Sequence, residues 1–404
     1  MARPTSRRSL RFENLEDRQL LSSAAPSNDQ QLALQLINMA RTTPQAASEW
    51  LTKNNSVEVK NTLKHFSVDV DAVKSTIASN RSLPPVAWNG DLAEAAQNHS
   101  QDMVDNQYQS HTGSDGSSAD DRIKAAGYMR AESSAENAFA YASSVENSMQ
   151  AFLYDWGVAD AGHRRNLLQP GVAPADAFTE VGVGVVKTGG MRTSGGKIGP
   201  VVVTQNFASR TDAPAQLVGV VYSDDDGNDF YTPGEGKGGV EIDATNIDTG
   251  KTDSTKTWES GGYQIPLAKG RYKVTASEND VVIKQVDVSV SDVNVAQNFL
   301  TSEKWDGRSL RSATPQAPSD SKPAPLAAAP VVKASTPATA PAPVSITTSA
   351  STPKPTPVVV PVTTSTSTND KVAFFAPADW KGPTIDPSSN NPLADWTTWK
   401  ANAK

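Results

Sequence analysis

Four histidines, His65, His99, His111 and His163, are the only imidazoles in 404 residues, and cysteine is absent. Any proton transfer near neutral pH, or metal ligation by nitrogen, must pass through these four. The missing cysteines exclude disulfide frameworks, cysteine-ligated zinc, iron–sulfur clusters and thiol catalysis together. No Gly-x-Ser-x-Gly or His-Glu-x-x-His signature supports an activated nucleophile or a metal-bound water. A second constellation is acidic. Asp224, Asp226, Asn228, Phe230 and Glu235 occupy positions 1, 3, 5, 7 and 12 of a loop whose spacing suits calcium. Side-chain oxygens, one backbone carbonyl and a closing carboxylate are the ligands a hard cation takes. Asp229 departs from the pattern at the sixth position, where the turn of such a loop wants glycine. Strands flank the loop instead of helices, and an acidic hairpin loop is the alternative reading.

These residues need elements to hold them. From Gln30 onward, Leu32, Leu34, Leu36, Ile37 and Ala40 mark one face at helical periodicity, and Arg41 to Pro44 end it. A second helix is predicted through Leu92, Ala95, Ala96, His99 and Met103, with Asn89 or Asp91 as N-cap. His99 lies on its apolar face, which suits a hydrogen-bonded core histidine better than a ligand. A third helix runs from about Val145 through Phe152 to Trp156. Strand signals follow at 181–186 and 201–207, separated by a glycine-rich turn. Helices first and strands afterwards predict an α+β domain with a mostly antiparallel sheet. Past Pro214, short alternating strands at 217–222, 240–246, 263–265 and 272–276, and at Val286, Val288 and Val290, predict a separate all-β sandwich.

Composition sets the outer limits. Only 37% of the chain is hydrophobic, and twelve of its 27 prolines fall between Pro315 and Pro361. A stretch so poor in aromatic and charged residues cannot bury enough apolar area to offset its ordering entropy, so 303–372 reads as a disordered linker. The tail, 373–404, holds three of the eight tryptophans. The net charge is −7 and no Lys/Arg cluster is dense enough to track a phosphate backbone, which argues against nucleic acid as a partner. No apolar run reaches the length of a spanning helix. Residues 1–25 carry five arginines without the apolar core of a secretory signal. The run from Arg7 to Ser22 resembles the LEPR-XLL type of N-terminal segment on exported bacterial proteins, with a frayed basic tail as the alternative.

Between residues 30 and 210 the motifs accumulate in order: Asn89 to Met103, Ser110-His111-Thr112-Gly113, Arg122, Gly127-Tyr128, Glu136-Asn137, Trp156, Gly162-His163-Arg164, Glu180-Val181-Gly182-Val183-Gly184 and Thr204 to Phe207. Together they resemble the CAP superfamily of SCP-like domains in a cysteine-free form, placing such a domain at 26–212. The resemblance implies an α-β-α sandwich with a cleft lined by two histidines and two acids, here His111, Glu136, His163 and Glu180. Such a set suits zinc or another divalent cation. It equally suits a charged hydrogen-bonded network that holds loops together, and both readings stand. Arg122 reads as a structural salt bridge or cap, Asn137 as a partner for backbone groups, and His65 has no assigned role. The family is associated with lipid or sterol binding and host interaction, so the implied partner is a lipid or a cell-wall or surface component.

The second region, 215–302, resembles the SdrD-B-like and Cna-B-like modules of bacterial surface proteins, which are spacers. The whole chain is therefore expected to be an extracellular or cell-surface binding protein with a calcium-stabilised spacer. A metal-dependent hydrolase, with Glu136 or Glu180 as base, is the alternative.

Overall fold

The computed structural model describes residues 25–188, 198–210 and 213–301, with the backbone of 310–311. The N-terminal segment before residue 25, the proline-rich stretch and the aromatic tail lie outside these residues, as does most of the turn between 189 and 199. Helix α1 (Asn28–Thr42) opens on a reciprocal capping box between Ser27 and Gln30. It stops at Thr43, which Pro44 forces out of helical geometry, and that proline starts α2 (Pro44–Lys53) at its first turn. Two helices occupy the stretch in which periodicity is weak, α3 (Val57–His65) and α4 (Val70–Ala78), capped by Ser56 and Asp69. Strand β1 (Ala87–Trp88) leads into α5 (Gly90–Asn106), whose first amides are capped by Asn89, and then α6 (Ala119–Ala125). Strand β2 (Ser133–Ala142), α7 (Val145–Tyr154), α8 (Gly162–Leu168), β3 (Glu180–Lys187) and β4 (Val201–Ser209) complete the first region.

The four strands form one sheet in the order β1-β3-β4-β2. Only the short β1 runs parallel to its neighbour. Helix α5 covers one face of the sheet, and α1 and α7 cover the other. Alternation along β3 makes this possible. Val181 and Val183 enter the core with Leu36, Ile37, Phe152 and Phe207, while Gly182 and Gly184 face α5. A Cβ on Gly182 would lie 1.9 Å from the Ala93 nitrogen, and one on Gly184 2.3 Å from the Ala96 carbonyl carbon. The helix therefore rests on bare backbone. Arg41, fully buried, ties α1 to the loops around it by donating to the carbonyls of Pro84, Leu167 and Phe178 and to Gln169 Oε1.

From Gln216 the chain is all strand: β5 (Gln216–Tyr222), β6 (Glu241–Asn246), β7 (Thr252–Lys256), β8 (Gly262–Pro266), β9 (Gly270–Glu278), β10 (Val281–Val290), β11 (Val295–Ala296), β12 (Phe299–Leu300) and β13 (Leu310–Arg311). One sheet runs β13-β10-β9-β6-β7; the other is built on β5, which pairs with β8, β11 and β12. Leu217, Tyr263 and Phe299 from one sheet and Ile242, Val274 and Val288 from the other share a single core, as a sandwich requires.

This sandwich is joined to the first region, whereas the sequence suggests a separate module. Both lie within one compact unit. Gln264 exchanges two hydrogen bonds with the backbone of Trp88, and Asn294 donates to the carbonyls of Pro85 and Thr179. Val220 and Tyr231 belong to the same apolar cluster as Leu32 and Leu36 of α1.

Candidate functional site

Glu136 stands on β2 with its carboxylate buried beneath the loop between α5 and α6. His111 Nδ1 donates to its Oε1 at 2.9 Å, and Arg122 Nη2 to its Oε2 at 2.7 Å. His99 Nε2 lies 3.8 Å from the same Oε1 and donates to the Ser110 carbonyl at 2.8 Å. Burial alone would push the Glu136 carboxyl up. The His111 hydrogen bond and the positive charge of its basic neighbours outweigh that and hold it below the usual carboxylate range. For His99 burial wins, and its pKa is lowered, so it sits in the core as a neutral donor. Arg122 also donates to the carbonyls of His111 and Ser117, which fixes the loop around His111 from within. Asp102 pins the other end through Ser114 and the Tyr108 hydroxyl.

His163 enters from the first turn of α8. Its ring lies 6.2 Å from that of His111 and packs on Phe152. Its Nδ1 bonds Asp155 Oδ1 at 2.6 Å. Asp155 closes α7 in the left-handed conformation, φ 55°, which aspartate tolerates, and its second oxygen accepts the Arg164 amide. Asn137 donates to the His163 carbonyl and accepts from Asn166, which locks α8 to β2.

Three of the four residues expected in the cleft therefore converge: His111, Glu136 and His163. Glu180 is committed elsewhere. It receives a bidentate pair from Arg210, the Tyr128 hydroxyl at 2.7 Å and Asn89 Nδ2 at 2.9 Å, and so staples the start of β3 to the α5 cap. The acid that partners the second histidine is Asp155, which sequence reasoning missed. Its one signal was an aspartate placed where an apolar helix ends. Arg122 and Asn137 take the structural parts expected of them, and His65 ends α3 edge-on against Phe66.

The acidic loop lies between β5 and β6. Asp224 Oδ1 accepts the amides of Asn228 and Asp229, while Glu235 accepts those of Asp225, Asp226 and Thr232. Asp229 has φ 60°, so an aspartate supplies the left-handed turn for which glycine is usual. Asn228 deviates: its Nδ2 donates to Asp226 and its Oδ1 accepts the Phe230 amide. Among the described residues, only Asp224, Asp226 and Glu235 form a group of three ligand atoms lying within 4.8 Å of one another.

Residues 34–207 match the CAP family, described as the cysteine-rich secretory protein family. The CAP match ends at Phe207 on β4, so the acidic loop and the sandwich fall outside it. Among solved structures, an extracellular protein containing a SCP domain from Bacillus anthracis str. Ames is 25% identical, over 37% of this chain and 41% of that one, with a TM-score of 0.25. No curated protein matches the chain. Among the described residues, no helix is long and apolar enough to cross a membrane. Within the CAP region, His111 and His163 each present Nδ1 to a carboxylate, which leaves Nε2 as the remaining nitrogen on each ring.

Proposed function

We propose that this is an exported binding protein whose CAP cleft takes a divalent cation such as zinc through Nε2 of His111 and His163. Its sandwich is a spacer stabilised by calcium in the 224–235 loop. The observation that carries the first part is the pairing of both Nδ1 atoms with carboxylates, Glu136 and Asp155, the arrangement that orients metal-binding imidazoles and raises their basicity. A cation held there would offer open positions to an oxygen ligand from a partner, of which a lipid or a cell-wall or surface component is the favoured class. The chain's own residues orient the two rings and keep the loops closed around them. Binding is favoured over hydrolysis because both carboxylates that could serve as a base are occupied: Glu136 by His111 and Arg122, Glu180 by Arg210 and Tyr128.

Metal analysis of the purified full chain before and after chelation, followed by zinc titration, tests this reading. Saturable zinc binding, abolished in both His111→Ala and His163→Ala, is expected. Identical zinc uptake in wild type and both variants would reduce the cleft to a charged network.

A further inference from the structure

A cavity of about 360 Å³ lies where the acidic loop of the sandwich meets α1, α2 and α7, apart from the His111/His163 cleft. Its size is at the lower end for pockets that hold small molecules, roughly 300–1,000 Å³. Three of its lining side chains are more than nine-tenths buried yet keep an unpaired polar atom. The Tyr231 hydroxyl has no hydrogen-bond partner. Asn147 uses Oδ1 to accept the Ser143 amide, and its Nδ2 makes no hydrogen bond among the described residues. Gln150 spends Nε2 on the Asn54 carbonyl and Asn55, and its Oε1 accepts nothing among them. Of the three, the Tyr231 hydroxyl is closed off from solvent, whereas the amide donor of Asn147 and the amide acceptor of Gln150 remain in reach of a ligand in the cavity. Trp50 and Phe230 add aromatic surface to the lining, the single charge is Glu146, and no basic side chain lines it.

We infer that this cavity binds a neutral saccharide of one or two rings. Sugar hydroxyls both donate and accept, which matches the donor and acceptor offered by Asn147 and Gln150. The C–H faces of a pyranose are apolar and lie well against an indole or phenyl ring. An anionic ligand finds no cation here. A fatty acyl chain would cover the amide atoms of Asn147 and Gln150 without pairing them, which costs their desolvation. The site does not rest on metal in the cleft or on calcium in the loop.

The test is calorimetric titration of the full chain with glucose, N-acetylglucosamine and their β-1,4-linked disaccharides, with choline and a short-chain fatty acid run alongside. At least one saccharide is expected to saturate and to change tryptophan fluorescence. Trp50→Leu and Gln150→Leu are each expected to weaken it about tenfold or more, the scale of one lost polar or stacking contact. Both alter packed positions, so Ser143→Arg, a long side chain placed on an exposed residue at the cavity, serves as a blocking variant that leaves the core intact. It should abolish binding with an unchanged melting temperature, while His111→Ala binds sugar as wild type does. Saturation by choline or the fatty acid in place of sugar would overturn the assignment. So would no response to any saccharide at tens of millimolar, or sugar binding that survives Ser143→Arg.

Discussion

Glu136 is a buried carboxylate facing Arg122, His111 and His99, and its lowered pKa is a stability term with a definite sign. A carboxyl whose folded value is depressed stabilises the fold fully above its unfolded value, 4.5, and loses that contribution as pH falls toward the folded value. His99 acts in the same direction from a higher pH, because its depressed value keeps it neutral when folded although it would protonate below 6.5 when unfolded. Urea midpoints should therefore begin to fall below about pH 6.5 and drop further below 4.5. In Glu136→Gln the unfolding free energy at neutral pH should be lower by about 2–4 kcal/mol, with the gap to wild type closing in acid as the wild-type carboxyl protonates. A constant gap would separate the carboxylate from the acid transition. Arg41 offers a second residue-scale test. Arg41→Lys cannot reach the carbonyls of Pro84, Leu167 and Phe178 together and should cost about 2–4 kcal/mol in chemical unfolding. His111, Glu136 and His163 were readable in sequence because each stands in a local motif. Asp155 was not, since its role comes from a left-handed turn eight residues before the histidine, and Glu180 misled because a buried acid next to a glycine-rich strand looks alike whether it faces a cleft or an arginine.

At the scale of elements, α1, α5 and α7, together with β3 and β4, followed from periodicity and capping residues. The strand that carries Glu136 did not. Ser133–Ala142 is built largely of serine and alanine, which have little intrinsic preference for a strand; β2 is extended because β4 pairs with it along its length. Helices α3 and α4 were also missed. Each is nine residues long and buries at most two apolar side chains, too few to write a periodicity. The glycines of β3 were visible as a motif, but their reason appears only with α5 in place. Gly184→Ala puts a Cβ 2.3 Å from α5 backbone and should cost about 1–3 kcal/mol or more, because main chain, unlike a flexible side-chain tip, must move. Gly162→Ala, at a position without positive φ where the added Cβ would lie in ordinary contact 3.6 Å from Asp160 Oδ1, controls for any general loss of glycine. Equal urea midpoints for Gly184→Ala and wild type would remove close contact as the function of that position.

On the scale of the whole molecule, the sandwich was legible as a set of strands, yet its attachment was invisible, because Gln264, Asn294 and Tyr231 carry no mark of what they will touch. A consequence is that calcium at the acidic loop should be felt beyond the sandwich, since Tyr231, inside that loop, sits in the core shared with α1. Calorimetry of the full chain should show one transition for both regions, moving upward with calcium. A site with a dissociation constant of about 10⁻³ M adds only about 0.4 kcal/mol in millimolar calcium, and a tenfold tighter one about 1.4. Asp226→Ala and Glu235→Gln should remove the shift, and two transitions of which only one responds would mean that the regions unfold independently. The same joint governs the order in which the chain can fold. Asn298 closes on Gln35 across 263 residues, Ser260 on Gln31 across 229 and Asn294 on Pro85 across 209. At roughly 5–20 residues per second, ribosomal synthesis leaves the first helix waiting tens of seconds for the strands that cover it. Completion of the native structure is thus deferred until nearly three hundred residues have been made.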